Sequence, residues 1–375
     1  MKRREFLKSA LAGAGAAGIV ASTTACEGPQ PRAPAASSGG PAITGKKILW
    51  RMTSSFPRSL DTLFGGAERV AERVSAMTDG NFEIRVYPAG ELVPGLEVLG
   101  AVQSGTVHAG QTASYYFIGL NPVLAFDACV PFGMTARQKT AWLLSGGGGE
   151  LINKAFSDFN IISFPAGNTG VQMGGWFKED VKDLEDLKGR KMRIPGMGGK
   201  VMDALGVNVQ VLAGGEIYAA LDRGAIDATE WVGPHDDEKL GFYKVAKNYL
   251  YPGWWEPGPN LSVYVNQSAW ASLPVAYQEI FRAACREVGQ WMMARYDALN
   301  PPALQRLLAE GVQMRPFSDD IMVAAREAST QLLEELASKD AGYREVYEHW
   351  SKARSSYFEW FGAAEAAYAQ FAFER

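Results

Sequence analysis

The residues of this sequence best suited to chemistry are an arginine closing a short apolar run, a glutamate beside a tryptophan, and a glutamine in a glycine-rich stretch. Lys191-Met192-Arg193-Ile194 alternates in character, so Met192 and Ile194 share one face of a strand and Arg193 takes the other. A guanidinium is planar, always charged and able to grip a carboxylate through two parallel hydrogen bonds, which makes Arg193 a candidate anchor for an organic acid. A solvated salt bridge is the alternative for a single arginine. Glu230-Trp231 is the second constellation. A carboxylate in an aromatic-walled crevice needs a cationic partner, and a ligand carboxylate would compete with it for Arg193. A metal ion resolves that conflict. Oxygens of Gln172, the Glu230 carboxylate, the Trp231 backbone carbonyl and a ligand carboxylate form the hard environment that sodium or calcium takes. A strand-end cap or salt bridge is the alternative for Glu230. Tyr115 and Tyr116 either wall the cavity and offer a hydroxyl or pack in a core.

Other chemistries fit poorly. Three histidines exclude a His-rich metal centre, and no Cys/His spacing matches a zinc or iron site. The runs Gly167–Trp176 and Gly196–Lys200 lack the Gly-Lys-Ser/Thr ending of a phosphate loop. No serine or histidine stands in an elbow or triad-like setting. A net charge of -4 argues against a nucleic-acid partner. An enzyme using Arg193 to fix an acid and Glu230 as base, a lyase or isomerase, remains the competing functional class.

The elements around these residues read as strand, helix, strand, helix, strand. Val201 and Leu205 mark a helix stopped by Gly206, Val207 to Leu212 a strand, Glu216 to Arg223 a short helix stopped by Gly224, and Ala225 to Ala228 a strand delivering Glu230. Upstream, Lys47 to Phe56 predicts a strand, Leu60 to Thr78 an amphipathic helix ending at Gly80, Phe82 to Tyr87 a strand and His108 to Thr112 a third strand leading to Tyr115. Asn160 to Ala166 and Leu261 to Asn266 predict buried strands, and the chain is helical from Pro274 and again from Ser318. With 375 residues, 47% of them hydrophobic, there is room for two α/β domains. The expected division is residues 47–165 with 232–270 as domain I, 166–231 with 271–317 as domain II, and 318–375 as C-terminal helices. These helices carry enough aromatic surface to pack across both domains or to meet a second subunit.

Residues 1–25 read as an export signal with a twin-arginine start at Arg3-Arg4, and Cys26 as the acylated cysteine of a lipoprotein, followed by a Gly/Pro/Ala/Ser tether over residues 26–46. Thr23, three places before Cys26, departs from the usual lipobox residue. Cys129 and Cys285 either pair or remain buried thiols.

Several motifs in one order carry a resemblance: Ser54-Ser55-Phe56-Pro57 with Ser59-Leu60-Asp61, Gly90-Glu91-Leu92-Val93-Pro94-Gly95, Gly167 to Trp176, Gly189 to Trp231, Thr229 to Pro234 and Gly253-Trp254-Trp255-Glu256. Together they resemble the solute-binding proteins of tripartite ATP-independent periplasmic (TRAP) transporters, in their 2-oxo-acid-binding branch. The resemblance implies a periplasmic protein with a two-domain class II binding-protein fold, hinged near Phe164–Gly167 and Trp231–Pro234 and closing on its ligand. It also implies two membrane subunits as partners and a small 2-oxo or 2-hydroxy monocarboxylate, such as pyruvate, 2-oxobutyrate or lactate, bound with a cation. A C4-dicarboxylate or sugar acid is the alternative ligand within the family. By motif match Arg193 grips the carboxylate, Gln172 touches ligand and cation, Glu230 and Trp231 hold the cation, and Glu256 belongs to the cation or ligand shell. Tyr115, Tyr116 and Asn168 complete the expected ligand set. Some members of this branch dimerise through their C-terminal helices.

Overall fold

The structure is a computed structural model, and it describes residue 45 and residues 47–373. The expected export signal, Cys26 and nearly all of the tether lie outside the described residues. The strands in chain order are β1 (Ile48–Ser54), β2 (Phe82–Tyr87), β3 (Ala109–Thr112), β4 (Ile161–Asn168), β5 (Gly175–Phe177), β6 (Lys191–Arg193), β7 (Asn208–Gln210), β8 (Ala228–Thr229), β9 (Asn248–Tyr251), β10 (Asn260–Asn266) and β11 (Gln313–Pro316). The helices used below are α1 (Leu63–Met77), α2 (Gly196–Ala204), α3 (Pro234–Leu240), α4 (Val275–Ala309), α5 (Asp319–Lys339) and α6 (Ala341–Phe361).

The strands form two mixed sheets, β2-β1-β3-β10-β4 in the first lobe and β11-β9-β5-β8-β6-β7 in the second. In the first, β1 pairs in parallel with β2 and β3, and β10 runs antiparallel between β3 and β4. Helix α1 supplies the crossover between β1 and β2. It turns Leu63, Phe64, Ala67, Val70, Ala71 and Val74 inward, the 3.6-residue stripe visible in the sequence. A first-lobe core of Trp50, Phe82, Phe164 and Val263 meets Tyr277, Phe281 and Val288 of α4. The second lobe has its own core of Met192, Ile194, Val201, Leu250, Trp255 and Phe317.

Strand pairing divides the chain differently from the expected boundaries. Residues 248–251, assigned to domain I, form β9 and pair with β5 and β11 in the second sheet. Asn248-Tyr-Leu-Tyr251 has no period-2 alternation, with Tyr249 and Leu250 both buried in succession and Tyr251 exposed, so its pattern gave no strand signal. The N-terminal half of α4, assigned to domain II, packs on the first sheet. The chain therefore passes between the sheets at residues 169–174 and 252–259, and again through α4. Trp231–Pro234 lies between β8 and α3 and stays with the second lobe, while Phe164–Gly167 lies inside β4.

Helices α5 and α6 strap both lobes. Ile321 and Ala325 of α5 enter the second-lobe core, whereas Tyr343 and Trp350 of α6 pack on Phe126 at 5.2 and 5.4 Å between ring centroids. Beyond them Trp360, Tyr368, Phe371 and Phe373 are exposed. Cys129 and Cys285 are buried free thiols in separate clusters, so the pairing alternative falls away.

Candidate functional site

Parallel pairing of β6 with β8 sets Arg193 opposite Thr229 and brings the next residue, Glu230, beside it, with the Glu230 amide donating to the Arg193 carbonyl at 3.3 Å. Both side chains are 1% exposed. Arg193 Nη1 donates to Glu230 Oε1 in a short ion pair and to the Glu230 carbonyl at 3.3 Å, and Nε donates to the Leu212 carbonyl at 3.1 Å. The guanidinium lies over the Trp231 ring, 5.1 Å from its centroid. Burial opposes the Arg193 charge, but the Glu230 carboxylate, Tyr116 and Tyr115 together outweigh it and push the guanidinium pKa up. Burial pushes the Glu230 carboxyl up, and Arg193 pulls against that shift. The bland alternatives for these two residues are thus half met: they do pair, but deep inside the molecule.

Gln172 and Glu256 come from the two segments that cross between the sheets. Those segments are zipped together by the Gln172 amide donating to the Glu256 carbonyl at 3.2 Å and the Gly253 amide donating to the Gln172 carbonyl at 2.9 Å. Gln172 Nε2 donates to Thr169 Oγ1 at 3.1 Å. The Glu256 segment is braced from α6, where Arg354 donates twice to the Phe132 carbonyl, at 3.0 and 2.8 Å, and the Phe132 ring stacks on Trp254. Burial, and then the Glu230 charge, pushes the Glu256 carboxyl well above the usual carboxylate range. Tyr115 and Tyr116 stand edge to face at 5.0 Å on the first-lobe side. The Tyr116 hydroxyl lies beside Arg193, and burial raises its phenol to about 12 against the pull of that arginine.

Four buried polar atoms in this group have no hydrogen-bond partner among the described residues: the donors Arg193 Nη2 and Trp231 Nε1, and the acceptors Gln172 Oε1 and Glu256 Oε2. Each buried unmade hydrogen bond costs roughly 1–3 kcal/mol. Two donors suit a carboxylate, and two oxygens beside Glu230 suit a hard cation, so the residues present fit a sodium or calcium ion with an organic acid. Among the described residues no group of three His, Cys, Asp or Glu side chains is placed to hold a metal. A cation here would rest on carboxylate, amide and carbonyl oxygens together.

The small cavity in this group is lined by Phe56, Leu63, Tyr115, Tyr116, Thr169, Gln172, Arg193, Glu230, Trp231, Val232 and Leu261. Glu256 is not among them, and neither is Asn168. Its Nδ2 donates to the Gly258 carbonyl at 3.1 Å and its Oδ1 accepts from the Gly170 amide at 2.9 Å, so both ends of the amide are spent on holding the crossing segments. Thr169 and the apolar residues Phe56, Leu63 and Leu261 were not foreseen. Thr169 sat inside the glycine-rich motif, but an apolar residue in a strand or helix gives no sequence sign of facing a cavity.

Residues 53–340 match the family described as bacterial extracellular solute-binding protein, family 7. The chain is 55% identical, over 99% of both chains, to the monocarboxylate 2-oxoacid-binding periplasmic protein of Nostoc sp.. It is 45% identical to a TRAP transporter solute-binding protein from Bordetella bronchiseptica, a mixed-occupancy dimer with calcium and picolinate, with a TM-score of 0.87 over 88% of this chain and 98% of that one. A TRAP periplasmic solute-binding protein from Pseudoalteromonas atlantica with bound sodium and pyruvate is 38% identical, with a TM-score of 0.85 over 88% of this chain and 100% of that one. Two lobes joined by crossing segments, with a buried arginine-glutamate pair between them, and a match that spans the sequence motifs lead to one conclusion: the chain belongs to family 7 of the bacterial extracellular solute-binding proteins, the solute-binding proteins of TRAP transporters.

Proposed function

We propose that this protein captures a small 2-oxo or 2-hydroxy monocarboxylate, such as pyruvate, 2-oxobutyrate or lactate, together with sodium or calcium, and delivers it to the membrane subunits of a TRAP transporter. The observation that carries this reading is the buried set of two free donors and two free acceptors around Arg193 and Glu230. In this reading Arg193 holds the ligand carboxylate, and Trp231 Nε1 and the Tyr115 and Tyr116 hydroxyls border the rest of the acid. Gln172, Glu230 and the Trp231 carbonyl hold the cation, with Glu256 beside them. A cation held by these oxygens would supply positive charge beside Glu230, and Arg193 would then be free to pair with the ligand carboxylate. Among the described residues Arg193 is the one cationic side chain lining the cavity, which favours a ligand with a single carboxylate over a dicarboxylate.

The ligands of the solved relatives support the same choice, since one carries pyruvate with sodium and another picolinate with calcium. The protein binds without turnover and hands the acid on unchanged. It works outside the cytoplasm, exported through its twin-arginine signal and anchored through Cys26. The exposed aromatic end, Trp360 to Phe373, meets a second copy of the chain.

Calorimetric titration with pyruvate, lactate and succinate, each with and without sodium or calcium, tests this reading. The expected result is one-site binding of the monocarboxylates only when a cation is present, at about micromolar affinity or tighter. Arg193→Lys keeps a charge beside Glu230 but loses the planar fork, and it weakens binding by about tenfold or more. Cation-independent binding, or a preference for succinate, contradicts the reading.

A further inference from the structure

The Asp127 carboxylate is a buried charge of the first lobe that does not line the ligand cavity. It sits in the short helix Ala125–Ala128 and is 1% exposed. Its Oδ2 accepts a short hydrogen bond from Ser114 Oγ, a second from Ser262 Oγ at 2.7 Å and a long third from Ser163 Oγ at 3.5 Å. Ser114 Oγ also accepts from the Tyr264 hydroxyl at 2.5 Å, and Ser262 Oγ accepts from Asn260 Nδ2 at 2.9 Å. One carboxylate oxygen thus ties the end of β3 to β10 and β4. The counter-charge is Lys139, equally buried on the helix Ala136–Ser145, whose Nζ donates to the Phe126 carbonyl at 2.7 Å. Burial works against both charges, raising the Asp127 carboxyl and lowering the Lys139 ammonium to about 8, and each group pulls the other back.

Both serines with the closest bonds stand next to residues of the cavity: Ser114 precedes Tyr115, and Ser262 follows Leu261. Tyr115 and Tyr116 ride on a single 3-10 turn, Ser114–Phe117, whose cap position is Ala113 and makes no side-chain capping bond. A turn that short has few bonds of its own, so its placement is set from outside, by the Ser114 hydroxyl. Stability alone does not call for a charge here, since well-packed apolar groups in place of a buried ion pair are often no worse. What a carboxylate does that an apolar group cannot is accept from several hydroxyls in fixed directions, and bonds to a charged acceptor are the stronger kind. Asp127 therefore fixes the turn that presents Tyr115 relative to the strand that presents Leu261.

We infer that Asp127, acting through Ser114 and Ser262, is a positioning residue that holds the Tyr115 hydroxyl in place for the ligand. This rests on the proposed function, and the experiment separates the two. Pyruvate affinity of the full chain is measured at one fixed calcium concentration for the unsubstituted protein, Asp127→Asn, Tyr115→Phe and the double variant. A parallel cycle uses Ser114→Ala, which leaves the carboxylate its Ser262 bond and so protects against a variant that fails to fold. Asp127→Asn weakens pyruvate binding about tenfold when Tyr115 is present and less than about threefold in the Tyr115→Phe background, and Ser114→Ala shows the same pattern at smaller size. A packing defect that acts independently of Tyr115 costs the same factor in both backgrounds. Equal factors in the two backgrounds, or native affinity in both Asp127→Asn and Ser114→Ala, overturn the positioning role and leave the proposed function standing. Failure of the unsubstituted protein to bind pyruvate overturns the proposed function and the positioning role with it.

Discussion

Arg193 shows how a residue can be legible in type and position while its partners are not. Its place at a strand end followed from the alternation of Lys191 to Ile194, and its proposed function as an acid anchor rests on guanidinium chemistry. The sequence could not show that β6 and β8 lie side by side, which is what joins it to Glu230 from 37 residues away. A comparable buried group went unnoticed altogether. Asp236 and Asp237 stand in the polar run His235 to Lys239 of the sequence, yet both are buried on α3. Asp237 accepts from Trp176 Nε1, Tyr249 and two backbone amides, whereas Asp236 accepts from Tyr296 at 2.7 Å and has no partner for Oδ1. Burial pushes Asp236 up to about 7 and Asp237 to about 6. Folded pKa values above the unfolded value of 3.8 mean that the native state binds more protons, so stability from these groups is present at low pH and lost as pH rises from about 4 toward 7. Thermal unfolding without added ligand is expected at a lower temperature at pH 8 than at pH 5.5. Asp236→Asn should flatten that dependence and gain on the order of 1 kcal/mol at pH 8. An unaltered slope in this variant would show that Asp236 does not carry the effect.

At the scale of elements, periodic segments and the short strands β3 and β6 were readable from the sequence, whereas β9 was not and β8 was only in part. Helix α1 and the strands β1, β2 and β10 matched their sequence patterns within a few residues, because each has one inward face or a sustained apolar run. Strands β8 and β9, two and four residues long, take their identity from neighbours rather than from their own pattern. That is why the domain boundary and one expected hinge were misplaced. Pairing also explains a contact between lobes that the motifs did not announce. Asp61, in the loop before α1, forms a short ion pair with Lys239, accepts from Arg295 at 2.9 Å, and lies 3.1 Å from His235 Nε2 on α3. Burial works to raise its pKa, but Lys239 and His235 outweigh this and hold it below the usual carboxylate range. The loop belongs to the first lobe and α3 to the second, so the cluster is a latch between the lobes. Asp61 is 47% exposed, which limits the contribution to about 0.5–1 kcal/mol. Asp61→Asn should weaken ligand binding by roughly two- to fivefold at low ionic strength and less at high salt. Titrations at two salt concentrations test this, and equal affinity of both proteins at low salt would rule the latch out.

For the molecule as a whole, the two sheets, the paired crossing segments and the α5–α6 strap form a device whose site exists only where the lobes meet. Each lobe alone has half of it: Arg193 and Glu230 on one side, Tyr115, Phe56 and Leu63 on the other. A ligand that contacts both halves favours the closed form by its differential affinity, and the closed form is what a membrane partner can recognise. The central claim is that a cation and a carboxylate together take apart the Arg193–Glu230 ion pair, and a crystal structure of the protein with calcium and pyruvate tests it most directly. The account predicts Arg193 turned from the Glu230 carboxylate to the pyruvate carboxylate, with Glu230 and Gln172 Oε1 about 2.3–2.6 Å from the metal. Pyruvate bound elsewhere, with the Arg193–Glu230 pair intact and no metal beside Gln172, would contradict it.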